Sequence, residues 1–239
     1  MGLLAWLVGT YMIRMFGVTA GYHHYFGHRS YKLGCAAQFA MAFLAQSSAQ
    51  NGALWWAAHH RVHHRESDRD GDGHSPARHG FWWAHVGWVL SNDFDGYDSR
   101  AISEFQRYPE LVWLNRHHWI PTATFGCVVA LLGGWPAFLW GYVVSTVVPY
   151  HCTFAINSFA HLWGTRRFET DDESRNNWWL ALLTLGEGWH NNHHFFPGSC
   201  RQGLRWWGLD ITYLVLKLLS WIGIVRDLPP FRVIAEASS

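Results

Sequence analysis

Histidines recur in this chain at a spacing suited to binding metal. The pattern H-x-x-H-H occurs twice, as His60, His63 and His64 and as His190, His193 and His194. On an α-helix, residues three and four apart share a face, so each triplet presents three imidazoles in one direction. Neutral imidazole is a good ligand for iron, zinc, copper and nickel. Two such triplets predict a metal centre, whereas histidines on a solvated helix would have no reason to repeat the spacing.

A third group of histidines lies earlier in the chain, at His23, His24 and His28. His24 and His28 are four residues apart and share a helical face. His23 and His28 are five apart and converge only where a helix ends or bulges. Spacing alone therefore favours His24. His161 stands by itself at the end of an apolar stretch, and a single histidine there is more typical of a structural residue.

The composition indicates that a membrane-embedded part and a polar part share this one chain. Of its 239 residues, 49% are hydrophobic, 17 are tryptophan and 17 are histidine, and the mean hydropathy is near zero at −0.07. Tryptophan at this density suits a membrane interface. The formal net charge of +1 gives no sign of a nucleic-acid partner. The four cysteines are scattered and read as free thiols.

Four apolar stretches must position the histidines. Residues 3–20 read as a membrane span, with Arg14 near enough to one end to snorkel. Residues 33–56 are interrupted by polar residues, which favours an interfacial or protein-buried helix. Residues 119–132 and 138–160 predict a hairpin, joined by a turn at 133–136.

Charge and parity give the topology. Lys and Arg crowd residues 61–78, 100–116 and 166–205, which places these segments in the cytoplasm by the positive-inside rule. If one metal centre gathers ligands from all three histidine groups, here called the first, second and third boxes in chain order, the boxes must lie on one side of the membrane. Residues 33–56 then do not cross the membrane. Residues 211–225 predict an amphipathic helix. The acidic run at 169–177 is interpreted as a solvated loop.

Several motifs resemble those of the membrane-bound acyl desaturase family, which includes acyl-CoA and acyl-lipid desaturases. They are TAGYHHYFGHRSYK, HRVHHRESD, GFWWAHVGW, NSFAHLWG and GEGWHNNHHFFPG. The family's first box falls on His23 and His28, with His24 where arginine is common, so the resemblance selects His23. The motif N-S-x-x-H falls on Asn157 and His161, which implies a ninth histidine ligand and a water-mediated or second-sphere asparagine.

The resemblance implies an all-α integral-membrane fold of about three spans, with a cytosolic helical cap carrying the boxes and a single desaturase domain over residues 1–239. Family members generally carry a further span before the first box, so an additional amino-terminal span is expected to be missing. Nine imidazoles exceed the needs of one metal, and the family's metal is iron. The predicted cofactor is therefore a pair of iron ions.

The implied reaction removes two hydrogens from adjacent methylenes of a saturated acyl chain and uses O2 to leave a cis double bond, with the motifs favouring the delta-9 position. The substrate is an acyl-CoA or an acyl-lipid. The chain has no dinucleotide fingerprint or P-loop, so electrons must come from a ferredoxin, rubredoxin or cytochrome b5 type of donor. Six tryptophans beside the boxes are candidate walls of an acyl tunnel, and positions at the membrane interface or in the core fit each of them equally: Trp55, Trp56, Trp82, Trp83, Trp178 and Trp179.

Two other functions fit the same residues. A related hydroxylase or ketolase would use the same metal ligands and differ only in its product. A histidine-rich metal-binding or transport protein is a further alternative. Transport predicts ionisable ligands inside several spans, whereas the boxes here lie at span ends or in polar segments.

Overall fold

The computed structural model describes residues 2–229, which form helices and turns and no β-strand. Met1 and residues 230–239 lie outside the described part, so the predicted domain of residues 1–239 extends beyond it at both ends. The α-helices are α1 (Gly2–Phe16), α2 (Cys35–Gln46), α3 (Ala53–Glu66), α4 (Pro76–His79), α5 (Ser103–Gln106), α6 (Pro109–Arg116), α7 (Trp119–Ala137), α8 (Ser145–Leu162), α9 (Trp178–Leu183), α10 (His190–Phe195) and α11 (Ile211–Trp221). Wider π-helical turns form π1 (Gly17–Gly27), π2 (Trp83–Gly87) and π3 (Phe138–Val144), and short 3-10 turns cover Trp88–Leu90, Asn92–Phe94 and Ser99–Ile102.

Two helical segments of the described chain are long and apolar enough to cross a membrane. They are α1 with π1 (Gly2–Gly27) and the run from α7 to α8 (Trp119–Leu162). The second segment is interrupted at Gly134, whose φ of 69° suits glycine alone. Beyond this point the chain folds back, and the hydroxyls of Thr122 and Tyr142 lie 2.9 Å apart. The bend thus falls within the joint predicted at residues 133–136.

Residues 33–56 form two short helices instead of one span. Neither α2 nor the start of α3 approaches the ~20 residues that a crossing needs. The polar residues between them have protein partners: the Gln46 amide donates to the Leu114 carbonyl oxygen at 3.0 Å and accepts from the Ala53 N–H at 2.9 Å. Asn115 Oδ1 accepts the first free N–H groups of α3. The sequence predicts an interfacial or protein-buried helix here, and the protein partners of Gln46 and Asn115 favour the buried alternative.

The prediction for Arg14 is wrong. Its side chain does not snorkel but is fully buried between α1 and the π3–α8 junction. The guanidinium donates to the hydroxyls of Ser145 and Thr146, each at 2.6 Å. It also lies over the rings of Phe125 and Tyr142, with 5.0 and 5.7 Å to their centroids. Neighbouring helices supply acceptors within reach, so the side chain has no need to extend to the interface.

The core forms where α1 and π1 pack on α2 and α3, which in turn pack on α6. Large buried side chains fill it, including Tyr22, Phe26, Leu54 and Leu114. The helix predicted over 211–225 is observed as α11 and ends at Trp221. This packing holds the end of π1 against the middle of α3, which is where the first and second histidine boxes meet.

Candidate metal centre

The first histidine box lies at the end of π1. Backbone hydrogen bonds in a π-helix join residues five apart, and the His28 N–H donates to the His23 carbonyl oxygen at 3.0 Å. The two rings therefore lie on one side of the chain, with centroids 4.8 Å apart. His24 faces another direction, with its Nε2 3.5 Å from a carboxylate oxygen of Glu187. The local bulge that His23 needs in order to meet His28 is thus present.

The second box lies on the face of α3 that contacts π1. His60 Nε2 is 2.7 Å from His28 Nε2. Gly27 keeps this approach open, because a Cβ at that position would lie 2.9 Å from the His60 ring. The Nδ1 of the neighbouring His59 donates instead to the Trp55 carbonyl oxygen at 3.0 Å.

The third box forms the short helix α10, and the two asparagines within it anchor that helix. Asn191 Oδ1 accepts the backbone N–H groups of Arg167 and Phe168 at 2.7 and 2.8 Å. Asn192 Oδ1 accepts from the side-chain amide of Asn176 at 2.9 Å. A six-residue helix has few hydrogen bonds of its own. These contacts are therefore what fixes the direction of its histidines.

The nine histidines selected from the sequence form two clusters. The first cluster contains His23, His28, His60, His64 and His193, and the second contains His63, His161, His190 and His194. Within each cluster, the potential ligand atoms all lie within 4.8 Å of one another. The clusters adjoin, since the ring centroids of His64 and His194 are 4.5 Å apart. His161, for which the sequence alone favoured a structural role, thus lies among the box histidines.

Four carboxylates lie behind these clusters and contact histidine Nδ1 atoms. The pairs are Glu187 with His23 at 2.6 Å, Asp72 with His63 at 3.0 Å, Asp68 with His161 at 2.9 Å and Asp172 with His194 at 2.5 Å. A histidine that donates Nδ1–H to a carboxylate keeps the lone pair of Nε2 for a metal. These pairs fix the tautomer and direction of an imidazole in both clusters.

None of the four carboxylates was predicted from the sequence. For three of them the available signal was the density of acidic residues in HHRESDRDGD and ETDDE, whereas Glu187 stands alone before the third box, in GEGWHNNHH. The solvated-loop prediction for residues 169–177 is wrong at Asp172, whose side chain is only 9% exposed. It holds at Asp171, whose side chain is 93% exposed. The composition of this run could not distinguish Asp171 from Asp172, because only the folded chain brings His194 close to Asp172.

The donor set fits a transition metal. His23 Nε2 lies 3.0 Å from His193 Nε2, and His161 Nε2 lies 3.1 Å from His190 Nε2. The carboxylates on Nδ1 of His23 and His161 leave the Nε2 lone pairs of these two histidines available to a cation. His194 Nε2 is buried and has no hydrogen-bond partner among residues 2–229. An all-nitrogen set suits iron and related metals, whereas magnesium and calcium prefer oxygen.

Burial keeps most of these imidazoles neutral. It lowers the pKa well below the usual histidine range, with further lowering by neighbouring imidazoles, at His28, His60, His64, His190 and His193. Burial also lowers the pKa of His194 to about 4, although Asp172 opposes it. At His63 burial acts in the same direction, but the Asp72 carboxylate outweighs it and raises the pKa. Neutral imidazole is the form that binds metal.

A cavity of about 420 Å³ leads to the clusters from between α3 and residues 86–95. Its walls include the aromatic side chains of Trp55, Trp88 and Phe154, and its inner end reaches His60 and Asn157. A smaller cavity of about 50 Å³ continues past the clusters toward α1 and is also lined by His60 and Asn157. The two cavities share Trp56, His60, Thr153 and Asn157 in their linings, so both lie directly beside the histidines.

The other residues that the sequence suggested are placed as follows. Asn157 lines both cavities. Trp55 and Trp56 line the larger cavity. Trp82 and Trp178 are 74% and 68% exposed and lie on the surface of the described chain. Within the described chain, Trp83 and Trp179 line neither cavity.

Comparison with known proteins gives a consistent result. The family model for fatty acid desaturases matches residues 1–218. The chain is 36% identical over 229 residues to the sn-2 palmitoyl-lipid 9-desaturase of Nostoc sp. (strain 36), covering 93% of this chain and 78% of that protein. It is 35% identical over 226 residues to the sn-1 stearoyl-lipid 9-desaturase of Anabaena variabilis, covering 94% and 81%. It is 36% identical over 219 residues to the acyl-CoA C20 Delta5-desaturase of Anemone leveillei, covering 90% and 69%.

Proposed function

Since this chain belongs to the fatty acid desaturase family, we propose that it introduces a cis double bond at the delta-9 position of a saturated acyl chain, at a pair of iron ions held by the clustered histidines. The chain is an oxidoreductase of lipid metabolism, and its apolar helices suit association with a membrane. In the reaction, two adjacent methylenes each lose one hydrogen. With O2, two electrons and two protons, the products are one double bond and two waters.

The observation that carries the proposal is the pair of adjoining clusters. Five imidazoles in one and four in the other exceed what one ion can coordinate, and each cluster can hold one ion. We assign His23, His28, His60, His64 and His193 to one iron and His63, His161, His190 and His194 to the other. Asn157, which lines both cavities beside His60, is assigned to a water-mediated contact near the metals.

When bound, iron supplies the activation of O2 that an unactivated methylene requires. The protein's own residues hold and orient the groups around it. Asp68, Asp72, Asp172 and Glu187 keep the protons of their histidines on Nδ1. The aromatic walls of the cavity exclude water and fix the depth of the acyl chain, which selects the methylenes beside the clusters.

A membrane lipid is the acyl carrier we propose. Within the described chain, no lysine or arginine lines the larger cavity, and its one formally charged lining residue is Asp95. Such a mouth disfavours the phosphates of CoA. Leu90, at the same mouth, is 78% exposed and faces outward where lipid can reach it. The cyanobacterial relatives are named for lipid-linked substrates.

The orientation is also part of the proposal. Lys and Arg crowd the segments that carry the second and third boxes, so we place all three boxes on the cytoplasmic side, beneath about three spans. The remaining partners are O2 and a separate one-electron donor.

Expression with iron and a donor system in a host that lacks its own desaturase tests this function. Fatty-acid profiling should show cis delta-9 products, located by mass spectrometry of derivatised double bonds. His64→Ala should abolish them, whereas His117→Ala, which alters a histidine outside both clusters and both cavities, should not. Hydroxylated or keto products would instead show a hydroxylase or ketolase. Saturated lipids alone, from iron-loaded and folded protein, would contradict the proposal.

The number of irons and the carrier need separate measurements. Purified protein should contain two irons per chain by elemental analysis, with a Mössbauer spectrum of nitrogen-ligated sites. In vesicles, saturated phospholipid should be converted and palmitoyl-CoA should not. Preferential conversion of palmitoyl-CoA would refute the lipid carrier while leaving the reaction in place.

A further inference from the structure

A concave surface beside the third box combines arginines with exposed aromatic rings. This cleft has a volume of about 530 Å³, and its lining includes Arg166, Arg167, Arg205, Trp189 and Trp207 but no Asp or Glu from the described chain. Trp206, next to it in sequence, is 91% exposed. Arginine and tryptophan are the residues enriched at the centres of protein interfaces. We call this surface the arginine cleft.

The arginine cleft is connected to the second cluster by a pair of packed aromatic rings and by the backbone that follows them. Trp207 is about half exposed, and its ring contacts that of Trp189 edge-on with centroids 5.5 Å apart. The Trp189 indole is only 8% exposed and donates to the Leu209 carbonyl oxygen at 2.9 Å, which fixes its position. Trp189 is followed directly by His190 of the second cluster. An electron arriving at Trp207 therefore has a short, well-packed path to a ligand.

We propose that the arginine cleft is the docking surface for a small acidic electron-transfer protein, which delivers electrons one at a time toward His190 through Trp207 and Trp189. The proposal rests on the desaturase function, whose balance takes two electrons per double bond from two turnovers of a reduced one-electron carrier. The surface arginines steer an acidic partner and hold it with its redox group over the aromatic pair.

The structure favours a protein partner over lipid head groups. The surface is a cleft backed by a buried tryptophan that adjoins the metal cluster. A lipid head group would use the positive charge but would have no use for the aromatic connection to His190. The two occupants differ in their dependence on membrane charge, which the experiment uses.

Charge reversal tests the proposal. Arg205→Glu and the double change Arg166→Glu with Arg205→Glu are compared with wild type, using a photoreduced acidic [2Fe–2S] ferredoxin under argon and following iron reduction optically. We expect the rate at low donor concentration to fall about tenfold or more, with a weaker dependence on salt. Arg107→Glu is the matched control, because Arg107 is an exposed arginine that packs on Tyr108, away from the cleft.

A second measurement separates docking from damage. Dithionite with methyl viologen, a cation that needs no basic cleft, should reduce the iron of all variants at the wild-type rate. Iron content should also be unchanged. Loss of both reduction routes, an equal effect of Arg107→Glu, or unchanged ferredoxin rates would each overturn the proposal.

The same samples distinguish the lipid alternative and the function. The effect of Arg205→Glu should be equal in nanodiscs of neutral and of anionic lipid, and an effect confined to anionic nanodiscs would assign the cleft to lipid head groups. If ferredoxin reduces the wild-type iron through the cleft but chemically reduced enzyme with O2 forms no unsaturated product, the desaturase function fails and the docking surface stands.

Discussion

Replacing Asp72 with asparagine should loosen one iron site by a calculable amount. Asp72 Oδ2 accepts from His63 Nδ1 and from the Asp68 backbone N–H, both at 3.0 Å, and Oδ1 accepts from the His74 backbone N–H at 3.2 Å. Both oxygens thus face N–H donors. Asparagine has to turn its own N–H₂ toward one of them, which leaves a buried donor unpaired at a cost of about 1–3 kcal/mol.

The loss should appear in metal binding as well as in stability. Without the carboxylate, His63 loses the partner that sets its tautomer, and such changes lower metal affinity about 10- to 100-fold, or about 1.4–2.7 kcal/mol. The assay is competition for iron with a chromogenic chelator, together with thermal unfolding of the iron-free and iron-loaded chain. Asp70→Asn is the matched control, since the Asp70 side chain lies in the same loop and is 93% exposed.

Two results would refute this reasoning. If Asp72→Asn binds iron as tightly as wild type, the carboxylate does not orient His63. If Asp70→Asn weakens binding equally, the loss reflects the charge of the loop and not the hydrogen bond to the imidazole.

Two further predictions concern the histidines. His23→Gln should release iron from the first cluster, whereas His24→Gln should keep both irons, because only His23 lies within that cluster. The iron content of the two purified variants measures the difference. Equal losses of iron would contradict the assignment of His23. The iron-free chain should lose stability as the pH falls from about 6.5 toward 4. The pKa of buried His194 is about 4, below its unfolded value near 6.5, so the unfolded chain takes up the proton first. The contribution of His194 to the free energy of unfolding is present above pH 6.5, and about 1 kcal/mol of it should be lost by pH 5.5. Thermal unfolding of the iron-free chain measures this loss. A melting temperature that does not change over this range would contradict the prediction.

The histidine boxes could be read from the sequence because helical spacing carries the information. Residues three and four apart share a face whatever the rest of the fold does, so His60, His63 and His64 are predictable from local geometry alone. The polar interruption of residues 33–56 was equally informative, since unsatisfied amides cannot cross a membrane. His161 required the family resemblance, because no local spacing ties it to the boxes.

The choice between His23 and His24 shows where local rules stop. An α-helix would pair His24 with His28, and the resemblance alone selected His23. The structure gives the physical reason, since π1 replaces α-helical turns and brings residues five apart together. Arg14 shows the same limit in another form. Its burial depends on Ser145 and Thr146, which are more than a hundred residues away.

The missed carboxylates show how the centre depends on its loops. Asp68 follows α3 and contacts His161 on α8, and Asp172 precedes α9 and contacts His194 on α10. Each carboxylate joins two segments that meet only in the folded chain, so no window of sequence contains the pair. The loop that holds Asp172 also carries Arg166 of the arginine cleft, and the next helix begins directly after it. One loop thus both orients a proposed iron ligand and forms part of the surface proposed for the electron donor. A change that loosens it should disturb metal binding and reduction together, which is why the charge-reversal experiment has to report iron content beside the rate.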